Sequence, residues 1–174
     1  MVGWPIERKN AAMKYRPLFL FAIALTILSI SGCKPGSAVL MTAVKADDTA
    51  EAKKLIEKGA DPNSRTSPTG WSALHYAARN GNVEVVSLLL KSGADPNYSG
   101  TMEGQTGQVV SLRPLLLAQA TLDLVKQIPA SSMDETLHQI GLDDPALLKS
   151  MKGPDAAVRY QKILDALAAV TSKK

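Results

Sequence analysis

A single cysteine, Cys33, stands in a chain of 174 residues. One thiol excludes an intramolecular disulfide and every zinc site that takes two or more thiolates from the same chain. Aromatic residues make up only 5% of the sequence and there are two histidines, whereas 45% of the residues are hydrophobic. The chain can therefore bury a core, but that core must consist mainly of leucine, isoleucine, valine and alanine.

No apolar stretch is long enough to cross a bilayer as a helix. The longest, Leu18 to Ile30, has no charged residue but covers only 13 positions, against roughly 20 for a spanning helix. The segment before it contains one acidic residue, Glu7, and four basic residues, Arg8, Lys9, Lys14 and Arg16. A basic segment followed by a short apolar run is typical of a secretory signal peptide.

The apolar run ends in Ile30-Ser31-Gly32-Cys33, which resembles the lipobox of bacterial lipoproteins. In that family the signal is cleaved before the cysteine, which then receives lipid on its sulfur and on its new amino group. The resemblance implies a signal peptide over 1–32, covalent lipid on Cys33 and no other cofactor, and a short tether over 33–37. Two alternatives stay open: an ordinary cleaved signal in which Cys33 is incidental, and an uncleaved anchor. Met13 is an alternative start.

The residue that follows the cysteine indicates in which membrane a lipoprotein of this kind is anchored. In well-studied Gram-negative lipoproteins, an aspartate at this position retains the protein in the inner membrane. Lys34 stands there in this chain, so the resemblance favours a lipid-anchored protein of the bacterial envelope, in the outer membrane and facing the periplasm. The inner membrane and a Gram-positive envelope are the alternatives.

Most of the positive charge precedes Cys33. The whole chain has a formal net charge of +4, but four basic residues and one acidic residue belong to the predicted signal, which leaves +1 for 33–174. A nearly neutral domain outside the cytoplasm is not suited to nucleic acid, for which a basic surface is the expected mark.

A repeat with an offset of 34 residues follows. Gly59-Ala60-Asp61-Pro62-Asn63 recurs letter for letter as Gly93-Ala94-Asp95-Pro96-Asn97. Apolar positions upstream match as well: Leu40 with Leu74, Ala43 with Ala77, and Leu55 with Leu89. A period near 33 residues is typical of stacked helix–turn–helix units.

The second unit, Gly70 to Asn97, resembles an ankyrin repeat over almost its whole length. Ser72-Ala73-Leu74-His75 stands at the family's Thr-Pro-Leu-His tetrapeptide. The residues support helices independently, because Ser72 can cap a first helix and Gly81 can stop it. The fold class predicted is an all-α ankyrin-repeat solenoid of helix–turn–helix units joined by hairpin-like loops, with about three to four repeats and divergent caps.

The predicted domain covers 38–174, with repeats at about 38–66, 67–100 and 111–130 and a divergent helical cap at 131–171. In the first unit Asp47 stands where the second has Gly81, and such departures suit a terminal unit. The third unit begins at Arg113-Pro114-Leu115-Leu116, seven residues late, so the loop over 98–112 is enlarged. Because its turn glycine is missing, we expect a shortened or fused helix pair.

The domain shows no catalytic set and no metal site. His75 belongs to the tetrapeptide, where the resemblance implies hydrogen bonds within and between hairpin turns, and His138 lacks a partner at metal-ligand spacing. The acidic pair Asp143-Asp144 precedes Pro145, which is the pattern of a helix cap rather than of general acid–base chemistry. We therefore expect a protein that is not an enzyme.

Ankyrin stacks bind other proteins through their hairpin tips and inner helices, and the resemblance implies the same here. Tryptophan, tyrosine and arginine are enriched in binding hot spots, and several stand at such positions. The predicted protein-binding residues are Arg65, Thr69, Trp71, Tyr76, Arg79, Asn80, Tyr98, Met102 and Glu103. The alternative for Trp71 and Tyr76 is packing against the next hairpin.

Two functions fit this reading. The first is an envelope-anchored adaptor or protective factor that binds a periplasmic or membrane-associated protein. The second is an immunity protein that neutralises a toxin acting in the periplasm, such as a type VI secreted lipase. A hydrolase is the third reading and lacks any catalytic set. The sequence indicates no oligomeric state.

Overall fold

The structure is a computed structural model that describes residues 36–66, 69–103, 108–139, 142 and 144–172. The predicted signal peptide, its lipobox and Cys33 lie outside the described residues, as does the side chain of Glu103. No helix in the described part of the chain has the length and apolar character needed to cross a membrane.

Eight helices and one two-stranded hairpin form from these described residues. The helices are α1 Ser37–Lys45, α2 Thr49–Glu57, α3 Ala73–Arg79, α4 Val83–Lys91, α5 Pro114–Gln127, α6 Met133–Gln139, α7 Pro145–Lys152 and α8 Ala156–Thr171. The strands are β1 Gly100–Glu103 and β2 Val109–Leu112.

The first two units are the helix pairs α1–α2 and α3–α4. Each second helix starts at a side-chain cap: Asp48 Oδ1 accepts a hydrogen bond from the N–H of Glu51, and Asn82 Oδ1 accepts one from the N–H of Val85, both at 3.0 Å. Helix α1 packs on α3, and α2 packs on α4. The first helices thus form one layer and the second helices another, which confirms the predicted stack of helix pairs.

The turn inside each unit needs a left-handed backbone. Gly81 has φ +68°, and Asp47 adopts φ +57° at the matching position of the first unit. The aspartate has a contact that glycine lacks, because Asn82 Nδ2 donates a hydrogen bond to its Oδ1 at 2.7 Å. The substitution noted in the sequence therefore links the turns of two adjacent units.

The enlarged loop is an antiparallel hairpin at its base. Gly100 lies opposite Leu112, and Met102 lies opposite Val110. The hairpin is tied to the preceding loop, since the N–H of Thr101 donates a hydrogen bond to the carbonyl oxygen of Thr69 at 2.8 Å.

The third unit is discontinuous. Helix α5 packs on α3 and continues without interruption where a turn would be expected. Helix α8 packs on both α5 and α4, which is the place of a second-layer helix. The structure thus differs from the expected division into a third repeat and a cap over 131–171, because α8 completes the third unit while α6 and α7 are inserted between its two helices.

Burial explains this arrangement. The apolar face of α8, which includes Tyr160, Ile163 and Leu167, is fully buried and joins the main core of the stack. The insertion has its own smaller core, formed by Met133, Leu137, Leu147 and Met151. Burial of these side chains is the main source of stability for such short helices.

Candidate protein-binding surface

Trp71 lies against the hairpin and is only 6% exposed. Its Nε1–H donates a hydrogen bond to the carbonyl oxygen of Thr101 at 2.8 Å. Gly100 approaches the ring so closely that a Cβ there would lie 2.6 Å from Trp71 Cδ1. The ring thus fills the junction between the second unit and β1, which is the packing role considered as the alternative from sequence.

His75 joins α3 to both strands of the hairpin and is completely buried. Its Nδ1 lies 3.2 Å from the nitrogen of Ser72, whose N–H can only donate, so Nδ1 is the acceptor. The carbonyl oxygen of Leu112, 3.0 Å from Nε2, can only accept, so the hydrogen of the neutral ring is assigned to Nε2; in this tautomer the N–H of Gly100 on β1, 3.1 Å from the same nitrogen, is a close contact rather than a hydrogen bond to it. Burial lowers the pKa of His75 against the opposing effect of the Leu112 hydrogen bond, so the neutral ring is favoured.

Tyr76 and Asn80 are also buried, at 7% and 1% exposure. The Nδ2 of Asn80 donates hydrogen bonds to the carbonyl oxygens of Val44 at 3.1 Å and Lys45 at 3.3 Å. Both carbonyl groups lie at the C-terminal end of α1, where helices commonly leave carbonyl oxygens for other donors to satisfy, and that of Val44 also accepts the N–H of Asp47 at 3.2 Å. Like Trp71, these two residues connect neighbouring units. Less than a tenth of each of the three residues is exposed and could be contacted by a binding partner.

The other predicted residues keep accessible side chains. The Arg65 guanidinium is exposed and lies over the Tyr98 ring, 3.8 Å from its centroid. Met102 is 39% exposed on β1, and Thr69 is half-buried where the preceding loop meets this strand. Arg65 and Tyr98 thus form one accessible pair, and Thr69 and Met102 lie where the preceding loop joins β1.

Arg79 lies on α3, near the rings of Trp71 and Tyr76. Its guanidinium carbon is 5.8 Å from the Trp71 ring centroid and 5.5 Å from that of Tyr76. One of its terminal nitrogens donates a hydrogen bond to Asp144 Oδ2. The pair connects the second unit to α7, 65 residues further along the chain.

Asp144 has two functions in this arrangement. Its Oδ1 accepts the N–H of Ala146 at 2.9 Å, so it caps α7 as the sequence predicts. Burial raises the pKa of its carboxyl, but Arg79 and the backbone donors at the cap outweigh burial and lower the pKa below its usual value. The ionised carboxylate therefore holds Arg79 in place.

Sequence reasoning missed the part of the face that the insertion supplies. Nothing in the local pattern pairs Asp144 with Arg79, because a cap signal carries no information on a distant cation. The described residues contain no group of three or more histidine, cysteine or acidic side chains placed to hold a metal ion.

Comparison with known proteins agrees with the stack of helix pairs. The family model described as "Ankyrin repeats (3 copies)" matches residues 12–99, about half of the chain. The chain is 40% identical over 76 residues to the ankyrin repeat domain-containing protein 40 of Homo sapiens, which is 44% of this chain and 21% of that protein. An ankyrin repeat-containing protein of Treponema pallidum (strain Nichols) is 40% identical over 77 residues, 44% and 26% of the two chains.

A third relative carries a different name. The 2-5A-dependent ribonuclease of Mus musculus is 45% identical over 58 residues, which is 33% of this chain and 8% of that protein. The chain therefore spans about a quarter or less of the length of these three relatives.

Proposed function

Because the chain belongs to the ankyrin-repeat family, whose members are protein-binding modules, we propose that it binds another protein in the bacterial envelope. It acts there as an adaptor or protective factor, anchored through lipid on Cys33, and carries out no catalysis itself. The proposal rests on one observation above all. After the stack has buried Trp71, Tyr76 and Asn80, the accessible side chains of Arg65, Tyr98 and Met102 are left on the loops and hairpin that join the units, and these three residues are the proposed face.

The types of side chain on that face support binding. Arg65 and Tyr98 are stacked, which limits their motion before a partner arrives and so reduces the entropy lost on binding. Met102 adds a flexible apolar contact of the kind that adapts to a partner's surface. Arginine and tyrosine are, with tryptophan, the residue types enriched at interface hot spots.

Capture of a partner by the intact protein tests this proposal. The full chain carrying Arg65→Glu and Met102→Ser is expected to capture at least about 10-fold less of an envelope protein than the wild type. The first change removes a hot-spot type of side chain, and the second removes the flexible apolar contact. Capture is measured by crosslinking in cells followed by quantitative mass spectrometry. A captured antibacterial toxin would make the chain an immunity protein.

The matched control places the same changes on other surfaces. Lys91 is exposed on α4, and Val158 is 56% exposed on α8. Lys91→Glu with Val158→Ser therefore makes the same change in charge and also removes an exposed apolar side chain, but leaves the proposed face intact. Equal capture by both double variants contradicts the proposed surface.

The anchor has a separate test. The lipids that the lipoprotein resemblance implies on the sulfur and amino group of Cys33 carry three acyl chains in total. Three chains hold a protein at a membrane far more firmly than one, since each buried methylene contributes roughly 0.8 kcal/mol. Cys33→Ser is expected to move the protein from the membrane fraction to the soluble fraction, measured by fractionation and blotting. Retention of this variant in the membrane contradicts lipid anchoring at Cys33.

A further inference from the structure

A cavity of about 190 Å³ lies on the face formed by α3 and α5. Helix α5 contributes Leu117, Ala120, Thr121 and Leu124 to its lining, and β1 contributes Met102. The insertion contributes Leu142, Leu147 and Met151. The cavity therefore exists because α6 and α7 interrupt the third unit and place α7 beside the hairpin.

The interior of this cavity is apolar. The polar side chains along it have partners elsewhere: Trp71 Nε1 donates to Thr101, Thr121 Oγ1 donates to Leu117 at 2.8 Å, and Arg79 pairs with Asp144. An apolar cavity of about 150 Å³ holds a benzene molecule. The space thus suits one leucine-, methionine- or phenylalanine-sized group.

A second cavity of about 380 Å³ lies on the other side of the Arg79–Asp144 pair. Its lining includes Asp144 together with Lys45, Asp47 and Lys149. Among the described residues neither of these lysines forms an ion pair, whereas Asp144 is paired with Arg79. Asp47 accepts a hydrogen bond from an asparagine amide. Asp144 is balanced by Arg79, which lies outside this lining. Counting the carboxylate of Asp47, the two exposed lysines then leave the cavity a surplus of one positive charge, and Lys45 Nζ also lies 5.2 Å from the centroid of the Tyr76 ring.

We propose that the two cavities together recognise one segment of a partner polypeptide. The smaller cavity takes an aliphatic or aromatic side chain, and the lysine-lined cavity takes an acidic side chain next to it. This inference rests on the proposed protein-binding function and specifies the chemistry of the partner: an apolar residue adjacent to a glutamate or aspartate. Charge complementarity selects the acidic neighbour, and the enclosed apolar space selects the anchor residue.

Three short blocked peptides test the proposal on the full-length protein in detergent. The first is Ac-Ala-Phe-Glu-Ala-NH₂, and the other two replace its Phe by Ala or its Glu by Gln. Binding is followed by NMR shifts of the backbone amides in titrations with detergent-only controls. We expect millimolar binding of the first peptide, as is usual for a small ligand, with at least 10-fold weaker binding of the other two.

Matched protein variants locate the two contacts. Ala120→Phe fills the smaller cavity from α5 and is expected to weaken the first peptide at least 10-fold. Gln119→Phe adds the same ring to the same helix but faces a different groove, between α5 and α8, and is expected to bind normally. Lys149→Glu should weaken the Glu peptide but not the Gln peptide, whereas Lys91→Glu should affect neither.

Several results would overturn this inference. Unchanged affinity in Ala120→Phe, or shifts away from the cavity, refutes the anchor site; equal binding of the Glu and Gln peptides refutes the acidic contact. The peptide comparison uses the wild-type protein, so it still tests both contacts if Ala120→Phe does not fold. If all peptides fail while capture still depends on Arg65, which lines neither cavity, the cavity inference is wrong and the binding function stands. If the peptides bind as expected but no envelope protein is captured, the cavity stands and the proposed function fails.

Discussion

Tyr160→Ala is expected to lower the free energy of unfolding by about 3–5 kcal/mol, as is usual for the loss of a large buried side chain. The ring is fully buried and lies against Gly81, where a Cβ would be 3.0 Å from Tyr160 Cζ. Its hydroxyl donates a hydrogen bond to the carbonyl oxygen of Arg79 at 2.6 Å and lies 2.8 Å from Ser150 Oγ. Tyr160 thus connects α8 with the second unit and with the insertion, and urea unfolding followed by circular dichroism measures its contribution.

Tyr160→Phe is the matched control, because it keeps the ring and removes only the hydroxyl. Its cost should be smaller, about 1–3 kcal/mol, for leaving the Arg79 carbonyl group without its partner.

Burial raises the pKa of Tyr160 from 10.0 to about 12, so the folded state retains a proton that the unfolded state loses. Wild-type stability should therefore fall as the pH rises from 10 towards 12, and this loss should be smaller in Tyr160→Phe. A Tyr160→Ala protein as stable as the wild type contradicts the assignment of α8 to the third unit.

Trp71→Ala is expected to destabilise the fold by about 3–5 kcal/mol and to lower the melting temperature by about 10 °C. If Trp71 and Tyr76 were binding residues, as the sequence predicts, replacing both by alanine would abolish binding and leave the melting temperature unchanged. Burial of Trp71 and its hydrogen bond to Thr101 instead link any loss of binding to a loss of stability. Differential scanning calorimetry of the single variant separates these two expectations.

A double-mutant cycle with Gly100 serves as the control for Trp71. Gly100→Ala should destabilise the wild type, because its Cβ would lie 2.6 Å from Trp71 Cδ1. The same change should cost less in Trp71→Ala, where the ring is gone and only the Cα of residue 71, 3.3 Å away, remains close, and the coupling between the two residues should then be measurable. Additive effects would show that the hairpin does not rest on this ring.

The first two units were predictable from the sequence because their signals are local. Each signal lies within a few residues of the turn or helix that it determines. These signals are the repeated Gly-Ala-Asp-Pro-Asn segments, the caps of the second helices and the apolar stripes. The third unit was not, because its second helix lies beyond an insertion of two helices. Apolar periodicity predicts that α8 is a helix with one buried face, but it does not say which helix covers that face.

The candidate surface was predictable by residue type but not by burial. Trp71 and Arg65 both belong to types common at interfaces, yet the ring of Trp71 is covered by β1 and the guanidinium of Arg65 is exposed. That difference depends on how a hairpin of unusual length folds back on the stack. The contact between Arg79 and Asp144 likewise depends on the position of α7, which no short motif encodes.

The interrupted third unit has a consequence for the order of folding. Helices α1 and α2 meet across a connection of three residues, as do α3 and α4, whereas α5 and α8 meet only after residues 128–155 have been looped out. Contacts between residues far apart in sequence form slowly, since loop closure costs entropy before any burial repays it. We therefore expect the first two units to form the nucleus, with α8 docking as a later kinetic step.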